Sequence, residues 1–524
     1  MGYAGFVLVA LVIVVITNIW RLFKIVVWRP YVLTKSFEKQ GIKGPPYKLL
    51  YGSLAEMKEL KKVARKTVLD TNSNDIIHRV VPHYHKWFSQ YGETILYWHG
   101  TTPRITVTDP ELAKQILSNK FGFYVKPKPT PSILKLTGQG LIFVKGGDWV
   151  RHRRVLNPAF SVDKLKIMIK KMADCTIAVL DEWNNQCHLS DNDQRTVKIA
   201  MHENLQKLTS DVIAHTAFGS SYKEGREAFY AQKELQKCCA ASISDVFIPG
   251  TQYLPTPMNL RIWKLDKQLT NTLKGIIESR LKTAQSSLDG CYGDDLLGIM
   301  IESLVSKTAE SKNSPKLSMC EIMEDCKTFF FAGQETTANL LTWTTFLLSL
   351  HTDWQEKLRE EVLKECGMEI PDADMLAKLK LVNMVLLEAL RLYGPVIMLI
   401  RKTSEDMKLG DLMIPKDTSL TIPLVKIHRS KEYWGEDANE FNPLRFANGV
   451  SKAAKHPNAL LAFAIGPRIC IGQNFAMLEA KTVLALILQR FSLSLSPEYK
   501  HAPVDYLTLH PEYGLQVNVK SLHL

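Results

Sequence analysis

The nine cysteines include no C-x-x-C pair; they are odd in number and irregularly spaced, at 175, 187, 238, 239, 291, 320, 326, 366 and 470. That argues against a disulfide framework or a zinc site and predicts reduced thiols. The fourteen histidines, His428 among them, show no metal-ligand spacing. No Gly/Ser linker, low-complexity tract or internal repeat divides the 524 residues, so one large domain is expected. The chain is short of acid relative to base, with a net charge of +13, yet nothing in it resembles a nucleic-acid-binding module, and no nucleic acid is expected as a partner. Residues 3–20 carry no charge, and neither a basic leader nor a small-residue cleavage site accompanies them, which argues against a cleaved signal peptide.

What is present begins with that same run. Its 18 residues are close to the lower limit for crossing a bilayer, with Trp20 and Trp28 placed like interfacial aromatics and Arg21, Lys24 and Arg29 following. The charge bias puts the N-terminus in the lumen and the rest in the cytosol. Residues 21–67 hold twelve Lys or Arg against Glu38, Glu56 and Glu59, and a basic segment beside an anchor is attracted to anionic headgroups. Gly41-Ile-Lys-Gly-Pro-Pro-Tyr47 is a stiff, helix-hostile stretch suited to setting the angle of the body against the membrane. The expected division is an anchor at 1–20, a basic juxtamembrane segment with a Pro-rich hinge at 21–50, and a cytosolic body at 51–524.

Beyond the hinge, residues 95–98 and 104–107 have the composition of short strands. Helical periodicity dominates from about 110 to 400, with helices expected over 165–183, 204–218, 260–281, 322–350 and 375–393. Short strands return at 406–425 and 503–519. The expected class is mainly α with small peripheral β-sheets, not a regular βαβ alternation.

Residues 463–472 read Phe-Ala-Ile-Gly-Pro-Arg-Ile-Cys-Ile-Gly. Gly466 and Gly472 allow turn conformations closed to other residues. Backbone N–H groups can then aim at the Cys470 sulfur, and the helix-competent run after it presents its positive end to a thiolate. Arg468 adds a cation two residues away. A metal ligand, with haem iron one acceptor, and an inert buried thiol are both open on the cysteine alone.

This decapeptide resembles the haem-binding loop of cytochrome P450 enzymes, Phe-x-x-Gly-x-Arg-x-Cys-x-Gly, at every fixed position. The resemblance implies the cytochrome P450 fold behind a single N-terminal transmembrane helix. It implies haem b ligated by Cys470, with Phe463, Gly466, Arg468 and Gly472 forming the loop. Ala332-Gly-Gln-Glu-Thr-Thr337 lies in the long apolar run 322–350, where small Ala332 and Gly333 leave room for a flat, bulky group and Thr336 can bond back one turn and loosen the helix. It looks like the family's oxygen-activation motif, which implies that Thr336 and Glu335 handle oxygen and protons at that opening. Trp149 and Arg153 share a helix face, with Asp148 able to cap the helix start. The family match suggests that both contact a haem propionate; Arg151 and Arg154 read as a solvated basic end. Glu388-x-x-Arg391 with Arg445 resembles the family's structural triad. Leu444 replaces the Glu usual before that Arg, and Gly394 stands where relatives often carry Pro.

The closer match, carried by WVRHRRVLNPAF at 149–160 and FAIGPRICIGQNFA at 463–476, is to plant microsomal members oxidising fatty acids, isoprenoids and hormones, with subterminal fatty-acid hydroxylases nearest. It implies an endoplasmic reticulum membrane enzyme that takes electrons from NADPH through a cytochrome P450 reductase. Such an enzyme inserts one oxygen atom of O2 into a C–H bond of a lipophilic small molecule. The implied pocket draws on 124–146, Phe331, Ala332, 396–399 and 507–509. The alternatives are a haem-thiolate isomerase or dehydratase that needs no O2, and a non-catalytic membrane haem-binding sensor.

Overall fold

The protein, described by a computed structural model over residues 3–189, 195–219, 222–242, 245–286, 292–305 and 315–522, is mostly helical with small sheets at its edges. Its axis is the helix Met319–Leu350. Ser318 opens it through a capping box with Glu321, and from Leu340 to Ser349 every residue is buried. Met201–Ala217, Lys380–Tyr393 and Gln473–Arg490 lie against it. Residues 375–393, expected as one helix, form two, Ala373–Lys378 and Lys380–Tyr393. Leu379 leaves helical geometry (ψ 81°), and the Glu361 carboxylate accepts from the N–H groups of Lys380, Leu381 and Val382. A side chain on another helix thus satisfies the new N-terminus, which no local periodicity announces.

One five-stranded sheet runs in the order Leu96–His99, Thr102–Thr106, Ser419–Ile422, Leu399–Thr403, Tyr124–Val125, with only the second and third strands parallel. A three-stranded antiparallel sheet pairs Gln516–Ser521 with Thr196–Ala200 and Phe491–Leu495. Two hairpins complete the set, Met407–Leu409 with Leu412–Ile414 and Pro503–Asp505 with Leu509–Pro511.

The N-terminal helix is long and apolar enough to cross a membrane, and it does not stop at residue 20. It runs on through a π-helical turn, Lys24–Trp28, into Arg29–Glu38. Leu33, Phe37 and Ile42 are buried in a second core with Leu96, Trp98 and Leu409. The Tyr47 hydroxyl donates to the Val26 carbonyl at 2.8 Å. Gly44 lies so close to the sheet that a Cβ there would fall 1.8 Å from the Leu96 carbonyl oxygen. The Pro-rich segment is therefore pinned to the edge strand, and the helix leaves the body at a fixed angle.

Among the described residues every cysteine is free, and no three His, Cys, Asp or Glu side chains gather as a metal site. Cys291 lies outside the described residues.

Candidate functional site

The Cys470 loop is closed by its own backbone: Cys470 N–H donates to the Phe463 carbonyl at 3.0 Å, and Ile469 N–H to that of Gly466. Gly466 has φ +78°, and a Cβ there would lie 2.4 Å from the Leu117 carbonyl oxygen, so glycine is required twice over. Gly472 differs from expectation. Its φ is −89°, open to any residue, and Phe160 is its nearest side neighbour at 3.9 Å. The second left-handed residue of the loop is Ala464, at φ +57°.

Cys470 presents an open surface at the floor of a recess, although protein surrounds the sulfur on most sides. Burial pushes its thiol above the ordinary value, against the Gly472 N–H and the charges of Arg153 and Lys126. The Gly472 N–H is among the expected thiolate-stabilising groups, but the charges that act on the sulfur are those of Arg153 and Lys126 rather than the expected Arg468, and burial outweighs them.

A ring of cations surrounds this loop. The Arg468 guanidinium lies 4.8 Å from the Trp149 ring centroid and donates to the Val144 carbonyl at 2.7 Å, while its Nη1 has no partner. Arg153 donates to the Ile469 carbonyl at 3.0 Å. The structure thus brings Trp149, Arg153 and Arg468 together on the loop. It adds two residues that the sequence did not single out, Lys126 and Arg401. Burial, then the nearby Arg401 and Arg468 charges, push Lys126 down to about 7. Burial brings Arg401 to about 10, as it does Arg468, where the Arg401 charge contributes. None of these four cations has a carboxylate partner among the described residues, so the rim suits a bound dianion. Neither residue carried a sequence signal: Arg401 sits beside Lys402 in a strand of mixed composition, and Lys126 lies in a Lys/Pro-rich loop.

The helix start at Gly146–Leu156 also departs from expectation. Asp148 does not cap it but pairs with Arg151 at 2.9 Å. Arg151 is not free in solvent: it also donates to Glu321 and to the Lys316 carbonyl, whereas Arg154 is exposed. His152 Nδ1 bonds Asp325 at 2.6 Å, and Asp325 accepts from Leu141 N–H.

On the central helix, Ala332 and Thr336 keep some exposure on one face while Gln334, Glu335 and Thr337 are buried. Thr336 Oγ1 donates back to the Ala332 carbonyl at 2.7 Å. The helix after Cys470 packs against this one, and burial pushes its Glu479 carboxyl well above the usual range, with Thr337 acting in the opposite direction. Gly333 does not make room for a flat group. Its Cβ direction points at Ile213, with Cδ1 2.6 Å away, so this glycine admits the Met201–Ala217 helix to close packing. Glu335 does not stand at the opening beside Thr336 either. It is buried and accepts from Gln236, Asn339, Thr508 and His510. Burial alone would raise its carboxyl, but His510, Thr508 and Gln236 outweigh it and bring it down to about 2. His510 continues to His202 and on to Thr342.

Away from the recess, Glu388 and Arg391 form a fully buried two-point ion pair with both contacts at 2.7 Å. Arg445 lies 3.5 Å from Glu388 but is held mainly by Asp437 and the Trp434 carbonyl. Leu444 is exposed, and Asp437 is the carboxylate that Arg445 uses in place of a neighbouring Glu. Gly394 has φ −53°, a value that proline shares, but a Cβ there would fall 2.5 Å from the Leu390 carbonyl oxygen, so this path suits glycine.

A family model described as cytochrome P450 matches residues 67–519. The chain is similar to Cytochrome P450 709B1 of Arabidopsis thaliana, with 56% identity over 98% of each chain. It is similar to Cytochrome P450 CYP72A616 of Paris polyphylla at 45%, over 94% of each. Secologanin synthase 1 of Catharanthus roseus is 40% identical over 96% of this chain and 95% of that one. Among solved structures, a retinoic acid-bound cyanobacterial CYP120A1 superposes with a TM-score of 0.71 at 23% identity, covering 83% of this chain and 93% of that one, a likeness of fold.

Proposed function

The chain belongs to the cytochrome P450 family, as a plant haem-thiolate monooxygenase, and from that premise we propose that it hydroxylates a C–H bond of a lipophilic small molecule: a fatty acid, a terpenoid or a hormone-like compound. In this reading NADPH supplies electrons through a cytochrome P450 reductase. The N-terminal helix holds the enzyme in the endoplasmic reticulum membrane with its body in the cytosol.

When bound, haem supplies the activation of O2 and the transfer of one of its oxygen atoms. Cys470 would ligate the iron, and Arg153, Arg468, Lys126 and Arg401 would meet the propionates, which would relieve four crowded cations that lack carboxylates. Thr336 lies on the partly exposed face of the central helix, where its hydroxyl, now bonded to the Ala332 carbonyl, would be free to turn and donate or relay a proton toward the site. Glu335 stays ionised one residue away, and through it His510 can share a proton with this turn. An apolar substrate agrees with Phe331, Val396, Met398, Leu399 and Leu507, which keep open surface although they pack on the core. Of residues 507–509 only Leu507 does so; Thr508 and Leu509 are buried.

The observation that carries the reading is the packing of the central helix, which bears Thr336, against the Gln473–Arg490 helix that begins directly after the Cys470 loop. Microsomes co-expressing a plant reductase, fed fatty acids, terpenoids and hormones, should form hydroxylated products only with NADPH and O2. Product formed without either would favour an isomerase or dehydratase, and haem loading with no turnover of any lipophile would favour a sensor. Thr336→Ala should retain haem and divert reducing equivalents to peroxide; unchanged coupling would overturn its assignment.

A further inference from the structure

The tip of the Pro503–Asp505/Leu509–Pro511 hairpin carries an unusual backbone. Leu507 has φ +75°, a left-handed conformation that a branched side chain rarely adopts and that persists only where its surroundings enforce it. Those surroundings are specific. Tyr506 N–H donates to the Thr508 carbonyl across the tip at 2.9 Å. Thr508 Oγ1 donates to Glu335 at 2.5 Å, and Gln236, itself bonded to the same carboxylate at 2.8 Å, donates to the Tyr506 carbonyl at 3.1 Å. On the far side Leu509 N–H reaches the Pro395 carbonyl, and the Trp343 indole donates to the Leu509 carbonyl, both at 2.9 Å.

The tip is therefore held from the central helix, from the Tyr222–Ser242 helix and from the chain at Pro395, and Leu507 is its one residue that is apolar and partly open. Its neighbours tie it on one side to Glu335, one residue from Thr336, and on the other to Pro395, one residue from the half-open Val396. We propose that Thr508 and Gln236 are specificity-setting positioning residues: through the Glu335 carboxylate they hold the tip so that the Leu507 side chain closes the pocket wall beside Thr336. Neither touches substrate. They act by denying Leu507 the ordinary backbone conformation, in which its side chain would swing off that wall. The proposal rests on the reading of the Thr336 face as the substrate side.

The test uses the haem-loaded full chain and two iron-binding probes, small imidazole and bulky 4-phenylimidazole, titrated by their haem absorbance shift. Thr508→Val and Gln236→Leu should leave the carbon monoxide spectrum and imidazole affinity intact while changing the ratio of 4-phenylimidazole to imidazole affinity by about five-fold, roughly 1 kcal/mol. Leu507→Gly, which frees the backbone and deletes the side chain, should change the ratio in the same direction, and Thr508→Ser, which keeps the hydroxyl, should restore it. Should Thr508→Val fail to load haem, Gln236→Leu carries the test. An unchanged ratio in Gln236→Leu, with or without a lower melting temperature, overturns the proposal, because a merely structural tie lowers stability without altering shape discrimination. A wild-type protein without a thiolate-type carbon monoxide spectrum would instead overturn the haem reading.

Discussion

Arg468 lies over the Trp149 ring, guanidinium carbon to ring centroid 4.8 Å, and from there donates to the Val144 carbonyl. The contact joins the Cys470 loop to the Gly146–Leu156 helix and holds a half-buried cation that no carboxylate among the described residues neutralises. The indole face partly compensates that charge, and its removal leaves both the loop and the cation less constrained.

Trp149→Leu should therefore weaken haem retention, by an amount set by a cation–π contact of ~0.5–2 kcal/mol, with Trp149→Phe intermediate. The ratio of Soret to protein absorbance after gel filtration measures it. Equal retention in all three proteins would show that the stacking does nothing for the cofactor.

The two loop glycines should behave unequally. Gly466→Ala meets both a left-handed backbone and the Leu117 carbonyl, and should abolish haem loading. Gly472→Ala has an ordinary φ and open space, and should load haem normally. Haem content per protein in parallel preparations separates the two; similar losses would contradict the loop geometry.

Asp437 should matter where Leu444 does not. Asp437→Ala leaves the nearly buried Arg445 without its carboxylate and should cost about 1–3 kcal/mol by denaturant midpoint. Leu444→Glu, at an exposed position, should stay within about 0.5 kcal/mol.

Acid should destabilise the protein before its carboxylates titrate. Burial holds His428 and His501 down to about 3, against an ordinary value of 6.5, and Leu461 N–H donates to His428 Nε2, which a protonated ring could not accept. Both are neutral in the fold and charge readily once unfolded. Their stabilising contribution is complete above pH 6.5 and declines as pH falls toward 3, by up to about 1.4 kcal/mol per pH unit for each. Denaturant midpoints of the haem-loaded chain should drop between pH 7 and pH 5, less steeply in His501→Gln. Identical slopes would remove His501 from the account.

The linear chain was informative wherever function depends on residues close together. The Cys470 loop, the Ala332–Thr337 hexapeptide and the Glu388–Arg391 pair each fit within three helical turns or less, and the periodicity of a long apolar helix marks it as central. The apolar run 3–20 was legible as an anchor, but its continuation to Glu38 was not. Leu33 and Phe37 gain their reason to be helical from a sheet edge sixty residues further on.

Contacts across long separations remained for the tertiary structure to decide. Gly333 faces Ile213 and not a cofactor, because helix packing, set by a partner 120 residues away, determines which side of a helix is crowded. Glu335 turns from the opening into a clasp with Thr508, Gln236 and His510, since a buried carboxylate goes where donors converge and those donors come from two segments far apart in the chain. Lys126 and Arg401 join Arg153 and Arg468 only when two neighbouring strands of one sheet and a helix are folded around one loop. By itself the sequence determined which chemistry this protein carries, because ligand, turn and helix start are neighbours along the backbone. The surroundings of that chemistry, from its ring of cations to its pocket wall, were decided by folding, because charge and burial depend on distance in space.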